Sequence, residues 1–126
     1  MAILIDTDIL IDYLRGIATA VAFVEEHSAE AHISAINIAE LYQGVRQGTE
    51  QVKLAKTLSS MTCLPITSET AELAGLYSRD FRPSHGCGLA DCIVAATAHL
   101  HGLTLATLNS KHFPMLRDVR VPYQKP

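Results

Sequence analysis

An α/β fold built on a mainly parallel sheet of four to five strands is what this sequence predicts, and three observations carry the prediction. Short apolar runs alternate along the chain with longer stretches whose apolar residues recur at helical spacing. The first run, Ile3-Leu4-Ile5, is uninterrupted, as in a strand buried on both faces. Finally, 126 residues with 48 % apolar and 18 % charged side chains suit a globular chain with room for one sizeable core. A single domain over residues 1–126 is expected.

Ala2 to Ile5 reads as the first strand, and Asp8 to Leu14 as a short helix capped by Thr7 or Asp6 and ended by Gly16. Ile17, Val21 and Val24 give a second helix that runs out near His27-Ser28. His32-Ile33-Ser34 is the next strand. The stripe Ile38, Leu41, Tyr42, Val45 predicts a helix from about Ala35 to Gln47, stopped by Gly48. Gln51 to Met61 follows as an amphipathic helix with Ala55 and Leu58 inward, then Cys63 to Ile66 as a strand whose Pro65 argues for an edge or a strand start. Thr67 or Ser68 caps a helix lined by Thr70, Leu73, Ala74, Tyr77 and Phe81. Arg82 to Gly88 is the most turn-rich stretch and reads as a loop. Leu89 to His101 is a helix apolar nearly all round, with Gly102 its left-handed cap. Leu103 to Thr107 and Val119 to Val121 complete the strands. There is no internal repeat, low-complexity segment or linker.

Composition excludes several classes. A net charge of −3 gives no bulk field for polyanions, although a local basic rim and bound cations can offset acids held at one site. Cys63, Cys87 and Cys92 are odd in number and lack a paired CxxC spacing, which speaks against a disulfide framework and a structural zinc. Buried thiols of a reducing, cytoplasmic protein are the expectation. No run approaches the ~20 apolar residues of a membrane span, and the first residues enter a strand without a signal-peptide pattern.

The candidate site lies at one sheet edge, because ligands of open α/β sheets bind outside the carboxyl ends of the strands. Asp6 and Asp8 follow the first strand. Capping explains one such acid, but two acids around one Thr exceed what a cap needs. Asp91 is the only charge between Gly88 and Ala98; it either faces its helix dipole or serves as a carboxylate needing a cation or several donors to stay ionised. Glu40 lies opposite the apolar stripe of its helix, beside Asn37 and Gln43. That is a solvated position by pattern, yet it falls less than two turns from a strand end. Asn109 and Thr107 follow the fourth strand, Asn109 as a turn former or as a neutral oxygen ligand or water-orienting group.

Other chemistries find no support. His99 and His101 are two apart and do not share a helix face. No nucleophile elbow or phosphate-binding glycine loop is present, and His85 and His112 read as solvated loop residues. Clustered carboxylates at one edge repel one another unless a hard cation such as Mg²⁺ or Mn²⁺ neutralises them. The reaction class that fits is phosphodiester hydrolysis, with the metal activating water.

Four segments also resemble the successive signatures of PIN-domain proteins, in particular the VapC toxins of toxin–antitoxin pairs. They are Leu4-Ile5-Asp6-Thr7-Asp8, the stretch from Ile33 to Leu41, the stretch from Leu89 to Ala96 and the stretch from Ala106 to Phe113. The resemblance implies a three-layer α/β/α sandwich and Mg²⁺- or Mn²⁺-dependent endoribonuclease activity. It further implies a homodimer and an antitoxin that blocks the active site. Asp6, Glu40 and Asp91 match the family's acidic metal ligands, Asn109 falls where many members have a fourth acid, and Asp8 and Thr107 match supporting positions. Arg15, Arg46, Arg79, Arg82 and Lys111 are candidates for an RNA phosphate rim. Two rival readings compete with this one: a non-catalytic RNA- or antitoxin-binding module, and a receiver domain. The latter needs a phosphoacceptor Asp after the third strand, where Cys63-Leu64-Pro65-Ile66-Thr67 offers none.

Overall fold

The computed structural model describes residues 2–124; Met1, Lys125 and Pro126, which the sequence reading places in the same domain, lie outside the described residues. In chain order the elements are β1 (Ile3–Ile5), α1 (Thr7–Leu14), α2 (Ala18–Glu26), β2 (Ala31–Ser34), α3 (Ala35–Gly44) and α4 (Thr49–Ser59). There follow β3 (Thr62–Leu64), α5 (Ser68–His85), α6 (Leu89–His101), β4 (Thr104–Ala106) and β5 (Val119–Arg120). Short 3₁₀ turns occur at Ser28–Glu30 and Ser110–His112.

Among the described residues the strands form one five-stranded sheet in the order β3-β2-β1-β4-β5. Every pairing is parallel, with Ile3 opposite both Ala31 and Thr104 and Ile5 opposite Ala106. Its central strand is apolar throughout because both faces are covered: Ile3, Leu4 and Ile5 are at most 1 % exposed. Ile3 and Ile5 pack with Ile9, Leu10, Phe23, Val24, Leu41 and Leu54 from α1 to α4. Leu4, on the opposite side of the pleat, joins Val94, Ala95 and Ala98 of α6, with Leu105 and Phe113. Ala74, Cys87, Cys92 and Ala96 fasten α5 to α6. The result is the three-layer α/β/α arrangement.

The strand order also fixes where a site can form. From β1 the chain steps outward through β2 to β3, then returns to lay β4 on the other side of β1. The direction of winding therefore reverses between β1 and β4, and the crevice beyond their carboxyl ends is the switch point at which α/β folds bind ligands.

Several local readings change. The loop expected over Arg82 to Gly88 is instead the last turn of α5, which runs through Pro83 to His85 and closes on Gly86 at φ 65°. Proline removes one backbone donor from the last turn without ending the helix, whose Gly86 N–H still reaches the Arg82 carbonyl, and the left-handed glycine sets the true end. α3 stops at Gly44, because Val45 is already extended, and Gly48 at φ 87° opens α4. In α4 the inward residues are Leu54 and, partly, Leu58, four apart on one face, while Ala55 is exposed. β3 ends at Leu64, before the proline. Cys63 is exposed on this edge strand; of the three thiols only Cys87 and Cys92 are buried. Tyr42, in the apolar stripe of α3, and Leu89 and Leu100, on the helix that is apolar nearly all round, are 41 %, 56 % and 36 % exposed.

Candidate active site

Asp6 leaves the end of β1 and caps α1, its Oδ1 accepting from the Thr7 N–H at 2.8 Å. Only 8 % of the residue is exposed. Its Oδ2 accepts from the Thr107 hydroxyl at 2.9 Å, and Thr107 stands just past β4, across the switch point. Burial, then the negative charges of Asp8 and Asp91, push the Asp6 carboxyl up from 3.8 to about 7, against the opposing pull of the Thr107 and Thr7 hydrogen bonds.

Glu40 reaches the same place from α3. The Thr7 hydroxyl donates to its Oε1 at 2.9 Å, and the Asn37 amide lies 3.5 Å from the same oxygen. Asn37 is fully buried. Its Nδ2 donates to Thr7 Oγ1 at 2.8 Å and lies 3.4 Å from Asp6 Oδ1, while its Oδ1 accepts from the Ser34 N–H at 3.3 Å. The polar side of α3 thus packs onto the strand end, which overturns the solvated reading of Glu40. One residue every three or four positions, Asn37 and Glu40, supplies that face.

Asp8 sits one residue into the helix and turns toward the β4 loop. Its Oδ1 accepts from the Ile9 N–H at 2.8 Å, and its Oδ2 from the Leu108 N–H at 3.0 Å, with Thr107 Oγ1 at 3.3 Å. It braces the loop that carries Thr107 and Asn109. Asp91 occupies the first turn of α6, where its Oδ2 lies 3.4 Å from the Gly88 N–H and 3.3 Å from His112 Nδ1. Helix capping and a place beside Asp6 therefore coexist, the latter recorded in the upward push that Asp91 exerts on Asp6. Asn109 precedes the second 3₁₀ turn; its N–H donates to Thr107 Oγ1 at 3.1 Å and its side-chain amide meets His112 Nδ1 at 2.8 Å.

The structure brings Asp6, Asp8, Thr107 and Asn109 into one hydrogen-bonded chain, and joins Glu40 to it through Thr7 and Asn37. Asp91 is linked to Asn109 through His112. His112, read from the sequence as a solvated loop residue, instead meets Asn109 and Asp91, and Thr7, read only as a possible cap, holds Glu40. Asn37 was not given a role, and the available signal for it was its spacing of three from Glu40. The donors that converge are oxygens, of the kind hard cations take. Among the described residues, however, no group of three or more His, Cys, Asp and Glu side chains is close enough to form a ready metal cage.

Of the possible phosphate contacts, Arg15 lines a groove with Ile11, Leu14, Leu41, Val45, Glu50 and Glu40 itself. Lys111 is exposed in the 3₁₀ turn after Asn109, and Arg82 and Arg46 are exposed as well. Arg79 is paired with its neighbour Asp80 at 2.8 Å.

Residues 3–118 match the PIN domain family. The chain is 38 % identical over 127 residues to Ribonuclease VapC10 of Mycobacterium tuberculosis, spanning 98 % of this chain and 95 % of that protein. To Ribonuclease VapC19 of the same organism it is 36 % identical over 124 residues, with coverage of 95 % and 98 %. Among solved structures it is similar to a toxin–antitoxin complex from Klebsiella pneumoniae, with a TM-score of 0.85 and 30 % identity over 98 % of this chain and 100 % of that one. With its acidic residues gathered at the β1–β4 switch point and these relatives matching nearly end to end, the chain belongs to the PIN-domain family, in its VapC branch.

Proposed function

We propose that this chain is a metal-dependent endoribonuclease that hydrolyses RNA phosphodiester bonds, a VapC-like toxin held in check by a cognate antitoxin. The observation that carries the reading is Asp6, a buried carboxyl at the switch point whose proton affinity is raised by its surroundings and by two neighbouring acids. A divalent cation is the charge that would keep such a group ionised at neutral pH. The residues fit one: all the donors are oxygens, and Mg²⁺ is commonly held by one or two carboxylates with water completing its shell. Asp6 and Asp91 are its assigned ligands, with Glu40 the third acid of the site. Bound there, Mg²⁺ or Mn²⁺ supplies an activated water and a positive charge opposite the phosphoryl oxygens.

The chain's own residues prepare that reaction. Thr107 and the Thr7 N–H hold one oxygen each of Asp6, so the carboxylate cannot swing. Thr7 and Asn37 fix Glu40 Oε1, which orients this acid toward the strand end. Asp8 keeps the β4 loop against α1. Lys111, Arg15 and Arg82 are assigned to the RNA backbone, where cations position phosphates without reading sequence.

Support for an antitoxin comes from the similar Klebsiella complex and from the groove between α1 and α3, whose apolar floor runs up to Glu40. An occupant of that groove covers the site. The same reading includes a homodimer and a cytoplasmic location; no helix of the described residues is long and apolar enough to cross a membrane. The test is cleavage of a structured RNA pool by wild type and Asp91→Asn, each with Mg²⁺, Mn²⁺ or EDTA. Metal-dependent cutting by wild type and none by the folded variant is expected. Equal cutting by both would sink the assignment, and RNA or partner binding without any cutting would make the chain a binding module.

A further inference from the structure

We propose that His112 is a positioning residue that, with Asn109, clamps the Asp91 carboxylate into its metal-binding orientation. This inference rests on the metal-dependent reading above.

Little else holds Asp91. Its own helix offers the Gly88 N–H at 3.4 Å, a long contact that leaves the carboxylate free to rotate. The other named partner is His112 Nδ1, 3.3 Å from Oδ2. The same ring nitrogen lies 2.8 Å from the Asn109 side-chain amide. An ionised carboxylate only accepts hydrogen bonds. Facing it with a bare Nδ1 would set two lone pairs against each other, so Nδ1 carries the proton, in the neutral ring as in the charged one. Asn109 then presents its amide oxygen rather than its NH₂, a half-turn about the terminal bond. One N–H is thereby shared between Asp91 and Asn109, and the two are held at a set separation.

The imidazole is not what builds this loop. The His112 N–H donates to the Asn109 carbonyl at 3.0 Å, and the Phe113 N–H to the Ser110 carbonyl at 3.0 Å, so the turn closes through its backbone. Phe113 anchors it in the core at 2 % exposure, whereas the His112 side chain is 30 % exposed and points at the acid. A ring that contributes little to folding and sits between two site residues is placed to orient a ligand. Outer partners of this kind fix ligating carboxylates at metal centres. Asn109, engaged by the ring, is thereby a partner of the clamp and not a metal ligand.

Mn²⁺ titration followed by electron paramagnetic resonance, on wild type, His112→Ala, His112→Asn, His112→Gln and Asp91→Ala, tests the clamp without any activity assay. Asparagine places its NH₂ where Nδ1 stands; glutamine places it where Nε2 stands. The expected result is a loss of about 10–100-fold in Mn²⁺ affinity for His112→Ala, recovered by Asn and not by Gln, with the thermal melts in EDTA unchanged. Wild-type affinity in His112→Ala would overturn the clamp, as would recovery by Gln and not by Asn. Indifference of Mn²⁺ binding to Asp91→Ala, or no binding by wild type, would instead remove the metal reading on which the clamp depends.

Discussion

Asp6 shows what a single buried carboxyl demands of a fold. In the folded protein without metal it keeps its proton up to about pH 7, whereas the unfolded chain releases it near 3.8. Between those values the native state binds more protons than the unfolded one, so stability falls as pH rises. The stabilising contribution is complete below the lower value and lost above the upper one, and the gap corresponds to about 4 kcal/mol. Urea unfolding in EDTA from pH 4.5 to 8 should therefore show wild type weakening relative to Asp6→Asn, which cannot titrate. Adding Mg²⁺ at pH 8 should recover wild type and leave the variant unmoved. Parallel profiles would mean that Asp6 is not strained. Asp6 was legible in the sequence because a strand end before a helix is a recognisable place. The strain was not, since it comes first from burial under elements brought in from far along the chain, and then from the charges of Asp8 and Asp91.

At the scale of elements, the segment after β5 is tied back to the helix that begins at the site. The Tyr123 hydroxyl donates to Asp12 Oδ2 at 2.8 Å, and Asp12, on α1, is only 4 % exposed. Burial and the neighbouring Asp12 and Asp8 charges push the tyrosine hydroxyl well above its usual range, so it stays a donor at every working pH. Tyr123→Phe keeps the ring and removes the donor to a buried carboxylate, a loss of about 1.5–3 kcal/mol. Chemical unfolding at pH 7 should register it; a change within experimental error would mean that Asp12 finds its stabilisation elsewhere. This tie was invisible in the sequence because its partners are separated by nearly the whole chain. The helix end at Gly102 was legible, whereas the turn-rich run from Arg82 to Gly88 was misread as a loop and Gly48, taken as the stop of α3, opens α4. Pro83 sits in a last turn, and Gly86 three residues later ends the helix. The stripe on α3 was legible as a helix, but the pattern alone could not say that its polar side, and not only its apolar side, faces protein.

The whole molecule was the most readable level, since alternating strands and helices admit few arrangements and the parallel sheet follows from them. What pattern could not supply is the strand order, and with it the meeting of Asp6 and Thr107. The charge balance is also a property of the whole: with a net charge of −3, any RNA contact has to come from where the cations sit, not from their number. Lys111, in the turn beside Asn109, and Arg15, in the groove that reaches Glu40, flank the carboxylate cluster, whereas Arg79 is already neutralised by Asp80. Each phosphate contact contributes a slope of about −0.9 for duplex and −0.7 for single strands in log affinity against log salt. Binding of a fluorescent RNA to Asp91→Asn, the variant expected to bind without cutting, should thus lose about one contact's slope on adding Lys111→Ala or Arg15→Ala. Arg79→Ala should leave the slope as it was. If Arg79 mattered and Lys111 did not, RNA would have to cross the face of α5, and the rim drawn around the β1–β4 switch point would be in the wrong place.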